Sequence, residues 1–407
     1  MTTDTQKLTI LFVSSTFKGV AMMQQVKAMG CHVLLLVEEE LRNDAWDYES
    51  IDEIFFTPAL AKYQDVIHTV SYLCRGRKID YIVPLDEFEV ELVSMLREHL
   101  RLPGMGVTAT RNFRDKLTMR QVAQDAGIRV PAFVQVKNYD DLRDYMATVP
   151  TPWVLKPRSE ASAMGIEKIY DSERLWRALD ELGDKQSYYL LEDFVPGDVF
   201  HVDSLIVDGK VVFVSVQQYG APPMAIYQGG GVFNSRVIPR KKGDAPKLRK
   251  MNEQVASALG MVNGVTHTEF IKAHDTGDLY FLESAARVGG ANIAELIEYS
   301  TQINLWREWG RLIVNQLRGE KYKLPAKKEA YGGLMMSLAK QEYPDMASYD
   351  AEEVVWRTHK AYHAGLIMVA DKYERIEELL TEYNQRFLQE FTAVAPPMGT
   401  QRTGGTE

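Results

Sequence analysis

The chain has 407 residues, of which 45% are hydrophobic and 25% charged, with a formal net charge of −9. This composition is typical of a folded globular enzyme of two or more domains, and the acidic balance argues against a nucleic-acid binder held by general electrostatics. Two cysteines cannot form a disulfide framework, and no apolar run is long enough for a signal peptide or a membrane span, so we expect a cytoplasmic protein without a membrane partner.

The first hundred residues alternate between apolar strands and helices. Strand patterns lie at Leu8–Ser14, Cys31–Val37 and Asp80–Leu85, and helical patterns at Phe17–Met29, Ala61–Arg75 and Glu87–Leu100. This alternation predicts an open parallel sheet. The first strand–helix turn, SSTFKG, lacks the Gly-x-Gly-x-x-Gly spacing, so it predicts no dinucleotide phosphate site.

The remaining chain predicts short strands, helices and hairpins. Helices are expected at Arg114–Ala126, Ser172–Leu182 with Ser172 as N-cap, Lys247–Leu259, Ile293–Asn315 and Tyr373–Phe391. Strands are expected at Trp153–Pro157, Ile166–Tyr170, Ser187–Val195, His201–Val207, Lys210–Val216, Thr266–Ala273, Leu279–Ala286, Glu353–Trp356 and Gly365–Val369. Two loops rich in small residues, Ser159–Gly165 and Tyr219–Asn234, are candidates for binding loops.

One predicted hairpin carries two glutamates opposite each other. If the residues HDTGD form its loop, the facing pairs are Ala273 with Leu279, Ile271 with Phe281, Glu269 with Glu283, and His267 with Ala285. His267, Glu269, Glu283 and Arg287 then share one face, because alternate side chains of a strand point the same way. Opposed carboxylates repel each other, and Mg²⁺ bridged to nucleotide phosphates would turn that repulsion into a binding site.

A simpler interpretation of the same hairpin is a solvated strand face with Glu–Arg pairs. A shift of the register by one residue would also separate Glu269 from Glu283. The hairpin alone therefore leaves both interpretations open.

From about Phe113 to Gly290 the chain resembles the ATP-grasp superfamily of carboxylate–amine ligases. Five motifs match in order: Arg114-Asp115-Lys116 with Arg120 and GIRVP at 127–131, WVLKP at 153–157, EDFVPG at 192–197, Gly264–Phe270, and Phe281–Arg287. A histidine two residues before the first metal glutamate is most like the L-amino-acid ligase branch. The resemblance implies a mixed α/β and α+β fold, with an N-terminal open parallel βαβ domain followed by a two-lobed ATP-grasp domain with antiparallel sheets.

The resemblance also implies domain boundaries. Residues 1–113 would form the N-terminal Rossmann-like domain, and residues 114–186 the small lobe. Residues 187–325 would form the large lobe with the metal and substrate site. Residues 326–395 would complete the large lobe, and the tail at 396–407 is expected to be disordered.

Site residues follow from the matched motifs. Lys116, Lys156, Ser162, Glu192, Asp193, Phe194, Val195 and His201 are expected to bind ATP, and Glu269 and Glu283 to hold Mg²⁺ or Mn²⁺. Arg287 and His267 are expected to be catalytic, with Arg287 stabilising an acylphosphate and an oxyanion. Asp203, Arg236, Gly289, Gly290 and Asn292 are expected to contact the substrate.

Two positions depart from the family pattern. Val199 stands where the family usually has a ribose-binding acid, and Ala285 stands where it usually has a metal-binding asparagine. The number of metal ions, one or two, is therefore open. His201 is equally compatible with a structural histidine.

The function implied is an ATP-dependent ligase that joins a small-molecule carboxylate and an amine through an acylphosphate, releasing ADP and phosphate. Two alternatives stay open: a biotin carboxylase-like carboxylase and a non-catalytic nucleotide-binding protein. The short loop SEASAMG, poor in glycine, argues against the carboxylase. A homodimer is one assembly that the sequence leaves open.

Overall fold

A parallel sheet with strand order β3-β2-β1-β4 forms the N-terminal domain. The computed structural model describes residues 7–160, 164–224, 226 and 230–393, so the tail expected to be disordered, 396–407, lies outside the described residues. All of β1 is buried, as expected for a parallel strand covered by helices on both faces. The elements are β1 (Thr9–Ser14), α1 (Val20–Ala28), β2 (His32–Glu38), β3 (Glu53–Thr57), α2 (Tyr63–Leu73), β4 (Tyr81–Pro84), α3 (Glu89–Leu100) and α4 (Val107–Arg111).

The strand order reverses direction at the β1–β4 pair. From β1 the chain adds β2 and β3 on one side, and it then crosses to place β4 on the other side. In open α/β sheets, the carboxyl ends of the strands at such a reversal form a crevice that faces ligands. The loop after β4, with Asp86 and Glu87, lies at this edge.

A small antiparallel sheet follows, with strand order β5-β8-β6-β7. Its elements are α5 (Lys116–Asp125), β5 (Phe133–Gln135), α6 (Tyr139–Thr148), β6 (Trp153–Pro157), β7 (Glu167–Ile169), α7 (Ser172–Leu182) and β8 (Tyr189–Asp193). The predicted N-cap of α7 is wrong by one residue. The carboxylate of Asp171 accepts a hydrogen bond from the backbone N–H of Arg174, and Ser172 is already helical.

The larger sheet has the strand order β13-β12-β9-β10-β11-β14-β16-β15, and all its pairs are antiparallel. The strands are β9 (Gly197–Val207), β10 (Lys210–Tyr219), β11 (Phe233–Val237), β12 (Gly264–Ala273), β13 (Leu279–Ala285), β14 (Tyr331–Leu338), β15 (Val354–Arg357) and β16 (His363–Ala370). Strands β11 and β14 were not predicted, and they connect the hairpins to the C-terminal strands. The predicted fold class, a parallel sheet followed by antiparallel sheets, is confirmed.

The helix predicted over Ile293–Asn315 is two helices. After α8 (Ala245–Ala258), helix α9 (Ile293–Thr301) ends at Gln302, which adopts a left-handed φ of 63°. Helix α10 (Leu305–Arg318) begins after Asn304, whose side chain accepts from the backbone N–H of Arg307. The apolar spacing continues across the break, so periodicity alone could not locate it. Helix α11 (Tyr373–Glu390) ends the described fold.

The N-terminal domain packs directly on the remainder of the chain through α1 and α10. A side chain at Gly310 would place its Cβ 3.1 Å from Val26 Cγ2 and 3.2 Å from Met22 Cγ, so the neighbouring side chains would have to shift to accept it. The two helices share one apolar core that includes Trp306 and Trp309. This packing joins the N-terminal domain to the antiparallel part of the molecule. Within the described residues, no helix combines the length and apolarity that a membrane crossing requires.

Candidate active site

The carboxylate hairpin is formed by β12 and β13. Glu269 faces Glu283 and His267 faces Ala285, as predicted. The outer half is shifted, because Leu282 is an extra residue between Phe281 and Glu283. The predicted pairs Ile271–Phe281 and Ala273–Leu279 are therefore wrong, since Ile271 faces Tyr280 and Lys272 faces Leu279.

This β-bulge has a clear contact at its extra residue. The carbonyl of Leu282 accepts a hydrogen bond from the guanidinium of Arg120, which is fully buried on α5. A bulge bends its strand and reorients the side chains next to it. Because of this extra residue, Glu269 faces Glu283 although the pairs nearer the loop are shifted by one residue.

Each glutamate of the pair has its own positively polarised neighbour. The Tyr219 hydroxyl donates to Glu269 Oε1 at 2.9 Å, and His267 Nε2 lies 3.7 Å from the same oxygen. Lys116 Nζ lies 3.2 Å from Glu283 Oε2. Burial would raise the pKa of Glu269, but its contacts with His267 and Tyr219 hold it below the usual value. Two facing carboxylates, both reachable by solvent, are donors of the kind that Mg²⁺ prefers.

Lys156 and Glu192 lie diagonally on the paired strands β6 and β8, with Arg120 beside them. Lys156 Nζ forms an ion pair with Glu192 Oε1, and Arg120 Nε donates to Oε2 at 2.8 Å. Burial lowers the pKa of Lys156 to about 8, although Glu192 opposes this shift. The Glu192 carboxylate is thus paired inside the protein with Lys156 and Arg120, and its backbone lies in strand β8, which is paired with both β5 and β6.

The predicted adenine hinge follows β8. The backbone N–H of Asp193 donates to Ala132 O at 2.8 Å, and that of Phe194 donates to Pro152 O at 3.3 Å. These two amides are therefore already hydrogen-bonded within the protein. Val195 lies beyond β8, in the loop that leads to β9. The ammonium of Lys168 lies 3.6 Å from the centre of the Phe194 ring, a contact that was not predicted. Ser162, also predicted to bind ATP, lies outside the described residues.

A buried network joins two histidines through one carboxylate. His201 Nδ1 lies 2.7 Å from Asp203 Oδ2, and His267 Nδ1 lies 2.8 Å from Oδ1. His201 Nε2 lies 2.7 Å from the Ser235 hydroxyl, and His267 Nε2 lies 3.3 Å from that of Tyr219. Both ring nitrogens of His201 are therefore used within the protein, which opposes its predicted contact with ATP. Both carboxylate oxygens of Asp203 likewise contact the histidines, which opposes its predicted contact with a substrate.

The pKa values of the two histidines in this network are shifted in opposite directions. Burial would lower the pKa of His267, but the Asp203 carboxylate raises it to about 9. Burial lowers the pKa of His201, and Asp203 offsets this only in part. His201, Asp203 and His267 could in principle hold a metal ion. The 2.7 and 2.8 Å separations are those of hydrogen bonds, so the cluster is explained without one.

Arg287 is paired with a residue of the N-terminal domain. Its Nη2 donates to Glu87 Oε2 at 2.8 Å, and Arg114 Nη1 donates to Oε1 at 2.9 Å. Burial would raise the pKa of Glu87, but the charges of Arg287, Arg114 and Lys116 lower it to about 2. Glu87 was missed by reasoning from the sequence. The only local signal was its position just after an apolar strand of a parallel sheet.

The residues after Arg287 form the turn into α9. Asn292 has a left-handed φ of 63°, and its amide donates to Glu295 Oε2 at 3.4 Å. Gly289 packs against the histidine network, whereas Gly290 has open space around its α-carbon. Arg236 pairs with Glu377 of α11 at 2.6 Å, so its predicted substrate contact would have to compete with this ion pair.

Replacing Gly289 with alanine is expected to disturb this network. The new Cβ would lie 2.8 Å from Asp203 Oδ1 and 3.0 Å from His267 Nδ1. We expect the free energy of unfolding to fall by about 1–3 kcal/mol, as for overpacking of a filled core. Gly290→Ala is the matched control, because a Cβ at this position would have no atom within 4 Å. Equal unfolding curves for the two variants would contradict the described packing.

The central part of the chain matches a known protein family. Residues 149–295 match the ATP-grasp domain family. This region of the chain resembles an ATP-grasp domain, and it covers less than half of the chain. The matched range includes Lys156, Glu192, Glu269, Glu283 and Arg287.

Two relatives in sequence are ligases by name. An L-arginine-specific L-amino acid ligase of Bacillus subtilis is 28% identical over 236 residues, which cover 56% of this chain and 56% of that protein. The alanine–anticapsin ligase of Bacillus subtilis strain 168 is 26% identical over 289 residues, which cover 64% of this chain and 60% of that protein. The matches thus span little more than half the length of these relatives.

The fold has a solved counterpart. The crystal structure of an L-amino acid ligase from Bacillus licheniformis aligns with a TM-score of 0.73 and 19% identity. The alignment covers 96% of this chain and 99% of that one. The two proteins therefore share one fold over nearly their whole lengths.

Proposed function

We propose that the protein is an ATP-dependent carboxylate–amine ligase. The observation that carries the proposal is the juxtaposition of Glu269, Glu283 and Lys116 at one end of the hairpin, within a chain whose central region resembles an ATP-grasp domain. The two relatives named above, both ligases, favour this reaction over the carboxylase. The substrates proposed are a small carboxylate and a small amine of the amino-acid type.

The reaction proceeds in two steps. A carboxylate oxygen of the first substrate attacks the γ-phosphorus of ATP, which gives an acylphosphate and ADP. The amine of the second substrate then attacks the acyl carbon, and phosphate leaves as the amide forms. The amine proton is released as the tetrahedral intermediate collapses.

The residues of this chain have distinct parts in these steps. Lys116 and Lys156 offset phosphate charge, and Arg287 stabilises the acylphosphate and the oxyanion. Glu269 and Glu283 would hold Mg²⁺ or Mn²⁺, which supplies positive charge to phosphoryl oxygens when bound. His267 holds the Glu269 carboxylate and the Tyr219 hydroxyl in place.

A screen of ADP release tests the proposal. Amino acids and small carboxylates are crossed with amines, with Mg²⁺ and ATP present, and the product mass is determined for each active pair. ADP release that requires both partners, with a product at their summed mass minus water, supports the ligase. ADP release with bicarbonate alone would instead indicate a carboxylase, and tight ATP binding without any turnover would indicate a nucleotide-binding protein.

Lys156→Ala is expected to weaken ATP binding by roughly 10- to 150-fold, the equivalent of a charge-assisted hydrogen bond worth about 1.5–3 kcal/mol. The lysine is 6% exposed and forms its ion pair with buried Glu192. Calorimetric titration of MgATP measures the effect, with exposed Lys210→Ala as control. Unchanged affinity in Lys156→Ala would exclude this lysine from the nucleotide site.

A further inference from the structure

Glu87 connects the N-terminal domain to the proposed catalytic arginine. It lies in the loop after β4, at the edge of the sheet where the strand order reverses, and it is 7% exposed. One carboxylate oxygen accepts from Arg287 and the other accepts from Arg114. No substrate contact is required to explain this burial, because the two guanidiniums satisfy the carboxylate.

The contacts of Arg287 determine the orientation of its whole guanidinium. Its Nη2 and Nε donate to the same Glu87 oxygen at 2.8 and 3.2 Å, and its Nη1 donates to the carbonyl of Val288 at 3.1 Å. All three nitrogens are thus used, and two of the three bonds go to Glu87. An arginine side chain has many rotamers. A guanidinium that is already held in one orientation loses less conformational freedom when it binds an anion.

The charge balance keeps this arrangement suitable for an anionic group. Arg287 and Arg114 both pair with Glu87, whereas the neighbouring carboxylates of Asp86 and Glu283 pair with Lys18 and Lys116, so these seven side chains together retain a net positive charge. Arg114 also donates to the carbonyl of Ser159, and Lys116 donates to that of Glu160 at 2.5 Å. The Glu87 carboxylate therefore lies next to the start of the loop that follows the lysine strand β6.

We propose that Glu87 is a positioning residue that orients Arg287 toward the reacting phosphoryl and acyl groups. The proposal rests on the proposed ligase function and adds to it a contribution of the N-terminal domain. Glu87 itself touches no reacting atom, and it acts through Arg287.

Glu87→Gln tests this role in steady-state kinetics. We expect kcat to fall roughly 10- to 100-fold, as for loss of a residue that aligns a catalytic group, while KM for ATP stays within about twofold. Glu91→Gln is the matched control, because Glu91 is partly exposed on α3 and forms none of the ion pairs of the site. An unchanged kcat, or an equal rise of every KM with a lowered melting temperature, would overturn the proposal.

A double substitution separates positioning from a merely structural role. If Glu87 acts through Arg287, Glu87→Gln should lower kcat by less than about threefold in the Arg287→Lys background, because coupled residues are non-additive. A fully additive loss would show an independent effect and would overturn the proposal. Where Glu87→Gln does not fold, Glu87→Asp keeps the charge but shortens the reach by one methylene, and it should show the same loss of kcat.

An activity-independent measurement distinguishes failure of this proposal from failure of the ligase function. Phenylglyoxal modifies accessible arginines, and mass spectrometry locates the label. We expect Arg287 to be labelled several-fold faster in Glu87→Gln than in the wild type or Glu91→Gln. Equal labelling would overturn the positioning role even in an active ligase, whereas faster labelling in a protein that ligates no pair would support it and reject the ligase function.

Discussion

Arg287→Lys is expected to lower kcat by about 10²-fold or more, with ATP affinity within about twofold of the wild type. The guanidinium contacts Glu87 through two nitrogens and the Val288 carbonyl through the third. A lysine ammonium keeps the charge but cannot reproduce this planar fork. ATP affinity changes little, because the proposed nucleotide contacts lie on the two lysines and the hinge.

Steady-state kinetics and MgATP titration measure the two quantities separately. Arg129→Lys is the matched control, since exposed Arg129 pairs with partly exposed Asp278 at the loop end of the same hairpin. A loss of ATP affinity equal to the loss of kcat would place Arg287 in the nucleotide site and not at the reacting groups. Normal turnover in Arg287→Lys would exclude an arginine-specific role.

Glu269→Gln and Glu283→Gln are each expected to reduce turnover by roughly 10²- to 10³-fold, since each removes one ligand charge from the proposed Mg²⁺ site. The required Mg²⁺ concentration should rise in both variants. Turnover measured against Mg²⁺ concentration tests this, with exposed Glu253→Gln on α8 as control.

The stability of these variants follows from the observed contacts and not from simple repulsion. Two opposed carboxylates alone would predict a gain of stability on removal of one charge. Glu269 is compensated by His267 and Tyr219, and Glu283 by Lys116, so we expect a small loss of melting temperature in the metal-free protein. Lost stability with intact turnover would show that the pair is structural.

The pairing of Glu269 with Glu283 was predicted correctly, but from a loop register that the structure does not have. Near the loop Lys272 faces Leu279, and strand alternation from that pair would place Glu269 opposite Leu282. The extra residue of the bulge shifts the register so that Glu269 faces Glu283. The sequence did not predict the bulge at Leu282, whose carbonyl accepts a hydrogen bond from Arg120, a side chain 162 residues away along the chain. The break after α9 was not predicted for a different reason. A left-handed residue such as Gln302 ends the helix but leaves the apolar spacing of the sequence unchanged.

Local pattern determined the parallel N-terminal sheet, the lysine strand β6 and the order of the motifs, because periodicity and turn residues act over a few positions. Only the tertiary structure decided how His201 and Asp203 are used, since their partners His267 and Ser235 lie on other strands. The same holds for Glu87 and Arg287, which are 200 residues apart and meet only when the N-terminal domain packs on the large sheet. Such contacts depend on the packing of whole elements, and a buried charge leaves no periodic trace in the sequence around it.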